Sequence, residues 1–553
     1  MSRNLSTTSS NFDILCDLSF DIYKYGVIVE RKPHHVHWAD ITADRIIKQR
    51  GDKDEYVLAS GITPSGVVHF GNFREVITTE LVARALRDRG KKVRFIFSWD
   101  DYDTFRKVPA NLPNKEELEK YMFRPIVDTP DPFGKEESYA ALHEVNFEAQ
   151  LKKVGVDLEP VYQAKKYRAG DYKEQIKLAL KKRKEIRDIL NEYRKTPYGD
   201  EYYPVSVYCE KYLTDETTVI DFDGENTITY KHNKHDYEAK INLDETSLVK
   251  LPWRIDWPMR WAYEKVDFEP GGKDHSSQGG SYTTAKDIVK IFDWQAPVYL
   301  QYDFVSIKGL GGKMSSSKGN LITVDDILKV YEPEMVRWIF ASYKSNVDFA
   351  ISFDLDVLKT YEDFDRQERL AYGVDQGNEK KTNMAKRVLE LSQLSEQPTK
   401  CPIQPSFRHL CNILQINDMD IVAAKKEYAS QILDERDERR FNERSERAIY
   451  WIENHAPDEF KFRINKEKVE TPISDDVRNY LNELVSFLES NFDNLKDDKE
   501  LHEKMYEIMH AHELKPIDIF GPIYQLLISR EKGPKLAGFI RTIGKDRVIK
   551  LLS

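Results

Sequence analysis

The residues of this 553-residue chain best equipped for chemistry fall in two short runs far apart. The first, His69-Phe70-Gly71-Asn72, follows a stretch in which Val57 and Leu58 suit a buried strand and Gly61, Pro64 and Gly66 break it. From His69 onward Phe73, Ile77, Leu81 and Leu86 take up helical spacing. A strand, a Gly-rich loop and a helix in that order aim unpaired backbone N–H groups and the positive helix end at one point, which suits a phosphate. The second run, Gly309-Leu-Gly-Gly-Lys-Met-Ser-Ser-Ser-Lys-Gly-Asn320, is a Gly/Ser/Lys loop after another strand pattern at 297–302. A lysine among N–H and O–H donors can neutralise charge that builds on phosphates during group transfer. Either run alone reads equally well as an ordinary turn. Both together, each after a strand, point to one site.

The elements that must position these runs read as α/β. Residues 92–98 form a second strand pattern, and Trp99-Asp100-Asp101-Tyr102-Asp103 follows directly. In an open parallel sheet, ligands bind beyond the carboxyl ends of strands, so these acids can meet an ammonium or a magnesium ion. The plainer account is an acidic loop capping the next helix. Residues 266–269 are a further strand, and Pro270-Gly-Gly-Lys-Asp-His275 puts His275 at its end. The segment 251–261 between them is dense in tryptophan and arginine. Residues 109–245 read as an insertion between the two halves of the sheet domain, with helices over 136–154 and 172–194 and then short alternating strands. The second helix carries Lys177, Lys181, Lys182, Arg183, Lys184 and Arg187. That is either a solvated face paired with Glu174, Glu185 and Asp188 or an RNA-facing patch. From 331 the pattern is helical throughout, including segments at 421–433 and 442–454. The expected division is an N-terminal extension (1–54), a sheet domain (55–108 and 246–330), the insertion (109–245), a connecting helical region (331–370) and an all-α domain (371–553).

Composition narrows the class. Four cysteines (Cys16, Cys209, Cys401 and Cys411) are scattered without a CxxC pair, which argues for a reducing compartment and against a structural zinc cluster. Cys209, His232 and His235 lack a fourth ligand, so no metal site is expected. His34, His35 and His37 read as a solvated run. No apolar stretch approaches a membrane span, and the polar N-terminus has no signal-peptide core. A cytoplasmic protein without membrane association is expected. The net charge of -10 leaves nucleic-acid binding to a local basic face. Arg439, Arg440, Arg444, Arg447 and Trp451 are one candidate, since arginine interleaved with an aromatic suits unstacked bases; a solvated helix face is the alternative.

The first run resembles the His-Ile-Gly-His motif of class I aminoacyl-tRNA synthetases. The second, Lys313-Met314-Ser315-Ser316-Ser317, resembles their Lys-Met-Ser-Lys-Ser. Asn72 stands where the family has its second histidine, and Ser316 where it has a lysine. Several stretches resemble class I lysyl-tRNA synthetases in particular: Ser60-Gly-Ile-Thr-Pro-Ser-Gly66, Trp99-Asp-Asp-Tyr-Asp103, Trp253-Arg-Ile-Asp-Trp-Pro-Met-Arg-Trp261, Gly272-Lys-Asp-His275 and the tail from Gly533. The resemblance implies a Rossmann catalytic domain with an insertion and a helical anticodon-binding domain. It implies activation of lysine by ATP with Mg2+, then transfer to the terminal ribose 2′-OH of tRNA(Lys); a monomer is expected. It assigns His69, Asn72 and Lys313 to catalysis. ATP falls to His69, Gly71, Asn72, Lys313, Met314, Ser315, Ser316, Ser317 and Lys318, and Lys318 is a neighbour able to compensate for Ser316. Gly61, Thr63, Trp253, His275 and Tyr302 line the amino-acid pocket, with Asp100 on the α-ammonium by analogy with glutamyl enzymes. Those enzymes carry Arg-Gly-Glu-Asp-His where this chain has Gly271-Gly-Lys-Asp-His275, and loss of that arginine fits a cationic substrate. Trp253 and Tyr302 can cover the aliphatic stem and stabilise the ε-ammonium through their ring faces. Its acidic partner stays open between Asp101 and Asp256. Rival readings are a glutamyl or arginyl enzyme, a non-catalytic tRNA-binding paralogue, and a small-molecule nucleotidyltransferase.

Overall fold

The computed structural model describes residues 37–110, 112–309 and 321–553. Lys313, Met314, Ser315, Ser316, Ser317 and Lys318 lie outside the described residues.

Strands β1 (Glu55–Ile62), β2 (Lys92–Trp99), β3 (Glu159–Tyr162), β4 (Phe268–Gly272) and β5 (Val298–Tyr302) form one parallel sheet in the order β5-β4-β1-β2-β3. The chain runs outward from β1 to β3, then returns to β1's other side with β4. The crevice beyond the carboxyl ends of β1 and β4 is therefore the switch point where open α/β sheets bind ligands. β3 lies within the stretch expected as insertion, yet it is the edge strand of the main sheet.

Helices α1 (Trp38–Arg50) and α2 (Phe70–Arg87) pack against each other beside this sheet. α2 is nearly all core: Phe73, Ile77, Leu81 and Leu86 are fully buried, as their spacing predicts. His37 is no solvated histidine. It caps α1, its Nδ1 accepting from the Ala39 amide at 3.1 Å while its Nε2 meets the Ala341 carbonyl oxygen at 2.9 Å. Without that cap the first turn of α1 loses an acceptor in a buried setting.

In the insertion, the helix expected over 172–194 is two, Lys173–Lys181 and Arg183–Asn191, parted at Lys182. Of Lys177, Lys181, Lys182, Arg183, Lys184 and Arg187, three are ion-paired: Lys177 with Glu174 and Asp244, Lys182 with Glu185, Arg187 with Asp188 and Asp200. The solvated-face reading accounts for these three. Three antiparallel strands, Thr217–Phe222, Thr227–His232 and Glu238–Asn242, complete the insertion's small sheet.

Helices dominate after Pro333, apart from the strand Phe349–Ile351, which pairs with Val305–Ile307. One hydrophobic core runs from α1 through the sheet as far as Ala456. A second core, built mostly by helices from Asp475 onward, closes the C-terminus. The helix expected over 421–433 stops at Lys425 and passes into a 3-10 turn.

The candidate cluster at 439–451 is split: Arg439 is exposed and Arg447 partly so, but Arg440, Arg444 and Trp451 turn inward. Arg444 is fully buried, with Nη1 and Nη2 each 2.9 Å from an Asp365 carboxylate oxygen and Nε 2.6 Å from Glu332. Arg440 donates to both carboxylate oxygens of Glu368 at 3.1 and 2.8 Å. Burial alone would raise the Glu332 carboxyl, but Arg444 and Arg440 outweigh it and hold it at about 2. Trp451 is fully buried and donates to the Phe353 carbonyl oxygen at 2.9 Å. These side chains tie the helix Glu435–Asn454 to the helix Asp356–Ala371 and are unavailable for base stacking.

Candidate active site

A cavity of about 490 Å³ opens beyond the carboxyl ends of β1 and β4. Gly61, Thr63, His69, Gly71, Asn72, Asp100, Trp253, His275 and Tyr302 all line it. Every described residue that the sequence assigns to catalysis, ATP or the amino-acid pocket thus converges on one space, the two candidate acids Asp101 and Asp256 excepted.

The phosphate end differs from expectation in one respect: the first amides of α2 are already used. The Phe70 amide donates to the Ile322 carbonyl oxygen at 2.7 Å, the Gly71 amide to His69 Nδ1 at 3.1 Å and the Asn72 amide to the His69 carbonyl oxygen at 2.9 Å. Asn72 Oδ1 accepts from the His69 amide at 3.1 Å, completing a reciprocal capping box. The helix end is therefore closed by His69, Asn72 and the Ile322 carbonyl, and side chains must meet a phosphate. With Nδ1 accepting, neutral His69 keeps its proton on Nε2 and remains a donor there. Asn72 keeps Nδ2, which has no hydrogen bond among the described residues. His69 and Asn72 serve as both cap and donors, a combination that histidine and asparagine allow and most side chains do not.

At the amino-acid end, a Cβ on Gly61 would come within 2.7 Å of the Ser98 carbonyl oxygen, so only glycine lets β1 and β2 close here. The Gly61 amide donates to Glu75 Oε1 at 3.0 Å, and Tyr302 Oη donates to Glu75 Oε2 at 2.7 Å. Burial pushes the Glu75 carboxyl up to about 8, against the pull of those two donors. Glu75 also lines the cavity. Sequence reasoning missed it. The signal was its position three residues after Asn72, which puts it on the same helix face one turn further in.

Neither Asp101 nor Asp256 lines the cavity. Asp101 accepts from the Ala164 amide at 2.7 Å, and Asp256 is held by Tyr167 and Arg260. Asp100 does line it, but Oδ1 is already 2.5 Å from Arg260 Nη1. Burial raises the Asp100 carboxyl and the Arg260 guanidinium opposes the rise. Asp103, on the same wall, accepts from Thr63 Oγ1 at 3.0 Å and pairs with Lys250. A Cβ on Gly271 would fall 2.1 Å from Tyr299 Oη, so tyrosine fills the space an arginine would need.

The family model described as "tRNA synthetases class I (K)" matches residues 36–395, which holds the whole sheet and both cavity-bearing strand ends. The chain belongs to the class I lysyl-tRNA synthetase family. It is 47% identical to a lysine–tRNA ligase of Borreliella burgdorferi, over 94% of this chain and 99% of that one. It is 40% identical to a lysine–tRNA ligase of Pyrococcus horikoshii, again over 94% and 99%. Among solved structures, a glutamate tRNA ligase from Elizabethkingia meningosepticum matches at 14% identity over 90% of this chain and 98% of that one, with a TM-score of 0.40, too low to add to the assignment.

Two further spaces stand out in this class I lysyl-tRNA synthetase. A cavity of about 560 Å³ adjoins the first, shares Thr63, Ser65, Asp103 and Trp253 with it, and is closed on the insertion side by Ser206 and Tyr208. A groove of about 670 Å³ lies far along the chain, lined by Arg408, His409, Arg530, Lys532 and Lys535 with Phe460 and Phe539. No salt bridge engages Arg408, Lys532 or Lys535 among the described residues.

Proposed function

We propose that this class I lysyl-tRNA synthetase seats lysine with its ε-ammonium on Glu75 and Tyr302 and its α-ammonium on Asp100 Oδ2. The partly buried Glu75 carboxyl, flanked by donors and without a cationic partner among the described residues, is the observation that carries this reading. An ammonium there gains an ion pair and relieves a carboxyl that burial otherwise forces toward its neutral form. Trp253 and His275 close over the aliphatic stem.

ATP enters from the His69 side. The lysine carboxylate oxygen attacks the α-phosphorus, a new O–P bond forms, and the bond to the bridging oxygen breaks with release of pyrophosphate. His69 Nε2, Asn72 Nδ2 and the Lys313 loop, with Met314, Ser315, Ser316, Ser317 and Lys318, stabilise charge on the phosphates. Catalysis is then mostly positioning and charge stabilisation. No group of three His, Cys, Asp or Glu side chains among the described residues is arranged to hold a metal ion, so magnesium is read as arriving on the ATP phosphates.

The adjoining 560 Å³ cavity is read as the seat of the tRNA's terminal nucleotide, because it shares Thr63 and Asp103 with the lysine cavity. A ribose hydroxyl there can attack the adenylate carbonyl; a C–O bond forms and AMP leaves. The basic groove at Arg408, Lys532 and Lys535 is read as the contact for single-stranded anticodon nucleotides, in place of the buried arginines at 440 and 444. Phe460, partly buried in its wall, offers the aromatic surface for a stacked base, and Phe539 lies buried beneath it. No helix among the described residues is long and apolar enough to cross a membrane. The reading includes a cytoplasmic monomer. Charging of total tRNA with lysine, glutamate or arginine in parallel tests it: lysine alone should be attached.

A further inference from the structure

Behind the lysine cavity lies a smaller chamber of about 70 Å³. The two share Gly61, Glu75, Asp100, Trp253 and His275 as a common wall. The chamber's far side is a ladder of tryptophans on the helix α3 (Trp253–Glu264). Trp253, Trp257 and Trp261 are four residues apart and so share one face. The Trp253 and Trp257 rings stack with centroids 5.1 Å apart at 14°, and Trp257 and Trp261 follow at 4.6 Å. Only Trp253 reaches the lysine cavity. What fixes its two partners therefore fixes the wall the substrate meets.

That anchor is a single carboxylate. Glu269, buried on β4, accepts from Trp257 Nε1 on Oε1 at 3.0 Å and from Trp261 Nε1 on Oε2 at 2.5 Å. Indole nitrogens only donate, and a carboxylate is the side chain that offers two acceptors with this fork. Glu269 itself does not line the lysine cavity. Its backbone belongs to the strand whose end carries Gly272 and leads into His275. One residue thus ties the tryptophan ladder to the strand end that forms the opposite side of the amino-acid site.

We propose that Glu269 is a positioning residue for the amino acid: by holding both indole N–H groups it sets Trp253 against the substrate stem and thereby sets affinity for lysine. This rests on the lysine reading above and goes beyond it, since Glu269 touches no reactant. The role predicts a specific conflict and a specific cure. Glutamine at 269 keeps one acceptor oxygen but turns an NH2 toward the other indole N–H, two donors facing each other in a buried place. Removing that N–H, by phenylalanine at 257 or 261, removes the conflict.

The test is steady-state aminoacylation of tRNA(Lys) by the full chain, with KM measured separately for lysine and for ATP. Glu269→Gln should raise the lysine KM by roughly 10- to 100-fold, the scale of an unmatched buried donor or a small misplacement, with ATP KM within about twofold. Glu269→Gln combined with Trp257→Phe or with Trp261→Phe should recover at least about fivefold of that loss in one of the two pairings, whereas each phenylalanine alone should cost less than Glu269→Gln. A lysine KM unchanged in Glu269→Gln, a loss spread equally over lysine and ATP, or double variants that are no better than Glu269→Gln would each overturn the proposal. Failure of the wild-type chain to charge lysine would instead overturn the lysine reading.

Discussion

Tyr302, at the end of β5, donates its hydroxyl to Glu75 on α2 across 2.7 Å, joining the sheet's edge to the helix that also carries His69 and Asn72. The proposed lysine contact, Glu75, and the proposed phosphate contacts, His69 and Asn72, are thereby mounted on one helix, two turns apart at most. A shift in α2 cannot reach one without the other.

Removing the charge at this junction should separate lysine binding from the rest. Glu75→Gln should raise the lysine KM by at least ~30-fold, the order of losing a buried charge pair. Tyr302→Phe removes one hydrogen bond and should cost only about 3- to 30-fold. ATP KM, measured in the same aminoacylation assay, should move little in either. Equal effects on lysine and ATP would point to a structural role instead.

The junction also sets a proton. Burial pushes the Glu75 carboxyl up to about 8 from the ordinary 4.5, so below that pH it favours the protonated form, and an arriving ammonium displaces the proton. Stability from this group is full below the unfolded value and is lost as pH rises toward 8; an ammonium bound to the ionised form reverses that loss. Lysine binding at pH 7 should therefore release close to one proton, read by calorimetry in buffers of different ionisation enthalpy. The release should fade above pH 8.5 and vanish in Glu75→Gln. Binding with no proton release at pH 7 would contradict the assignment.

At the phosphate end, cap and chemistry can be parted. His69→Asn retains a side-chain oxygen suited to the N-cap and removes Nε2, so the thermal midpoint should hold while kcat falls at least ~10-fold. His69→Ala should lose both, with about 0.5–2 kcal/mol of stability gone. Lys313→Ala should cut lysine-dependent ATP–pyrophosphate exchange by at least ~100-fold, with tRNA present in the assay. Near-normal exchange would remove Lys313 from catalysis.

Two sets of basic residues should behave oppositely. Alanine at Arg408, Lys532 and Lys535 together should leave stability unchanged, weaken full-length tRNA(Lys), and lower the salt dependence by up to about two counterions. A tRNA lacking the anticodon arm should bind both proteins alike. Arg444→Ala strands Asp365 and Glu332, and should destabilise the fold by about 3–5 kcal/mol. Thermal melts and filter binding distinguish the two.

Much of this site was legible in residue order. His69-Phe70-Gly71-Asn72 and the acids after β2 sit at strand ends, and strand ends are marked by Gly61, Pro64, Gly271 and Gly272, whose composition breaks a pattern. Glu75 was not legible because a single acid inside a helix usually means a solvated turn; only the packing around α2 turns it into the cavity wall. Arg440, Arg444 and Trp451 misled for the converse reason. Their charges suggest a surface, but Asp365, Glu332 and Glu368, distant in sequence, come to meet them. His37 likewise reads as solvated until the Ala341 carbonyl, some three hundred residues on, is brought beside it. Pairings across that distance leave no local trace. The capping box at α2 was hidden too, since the motif's histidine and asparagine were read only as phosphate donors.

The central claim is lysine-specific charging that depends on Glu75. The most direct measurement is attachment of labelled lysine to tRNA by the wild-type chain and by Glu75→Gln, with ATP and magnesium, beside glutamate and arginine. The account predicts lysine attachment alone by the wild type, and a loss in Glu75→Gln that excess lysine restores. Attachment of glutamate or arginine, or full activity of Glu75→Gln at low lysine, would contradict it.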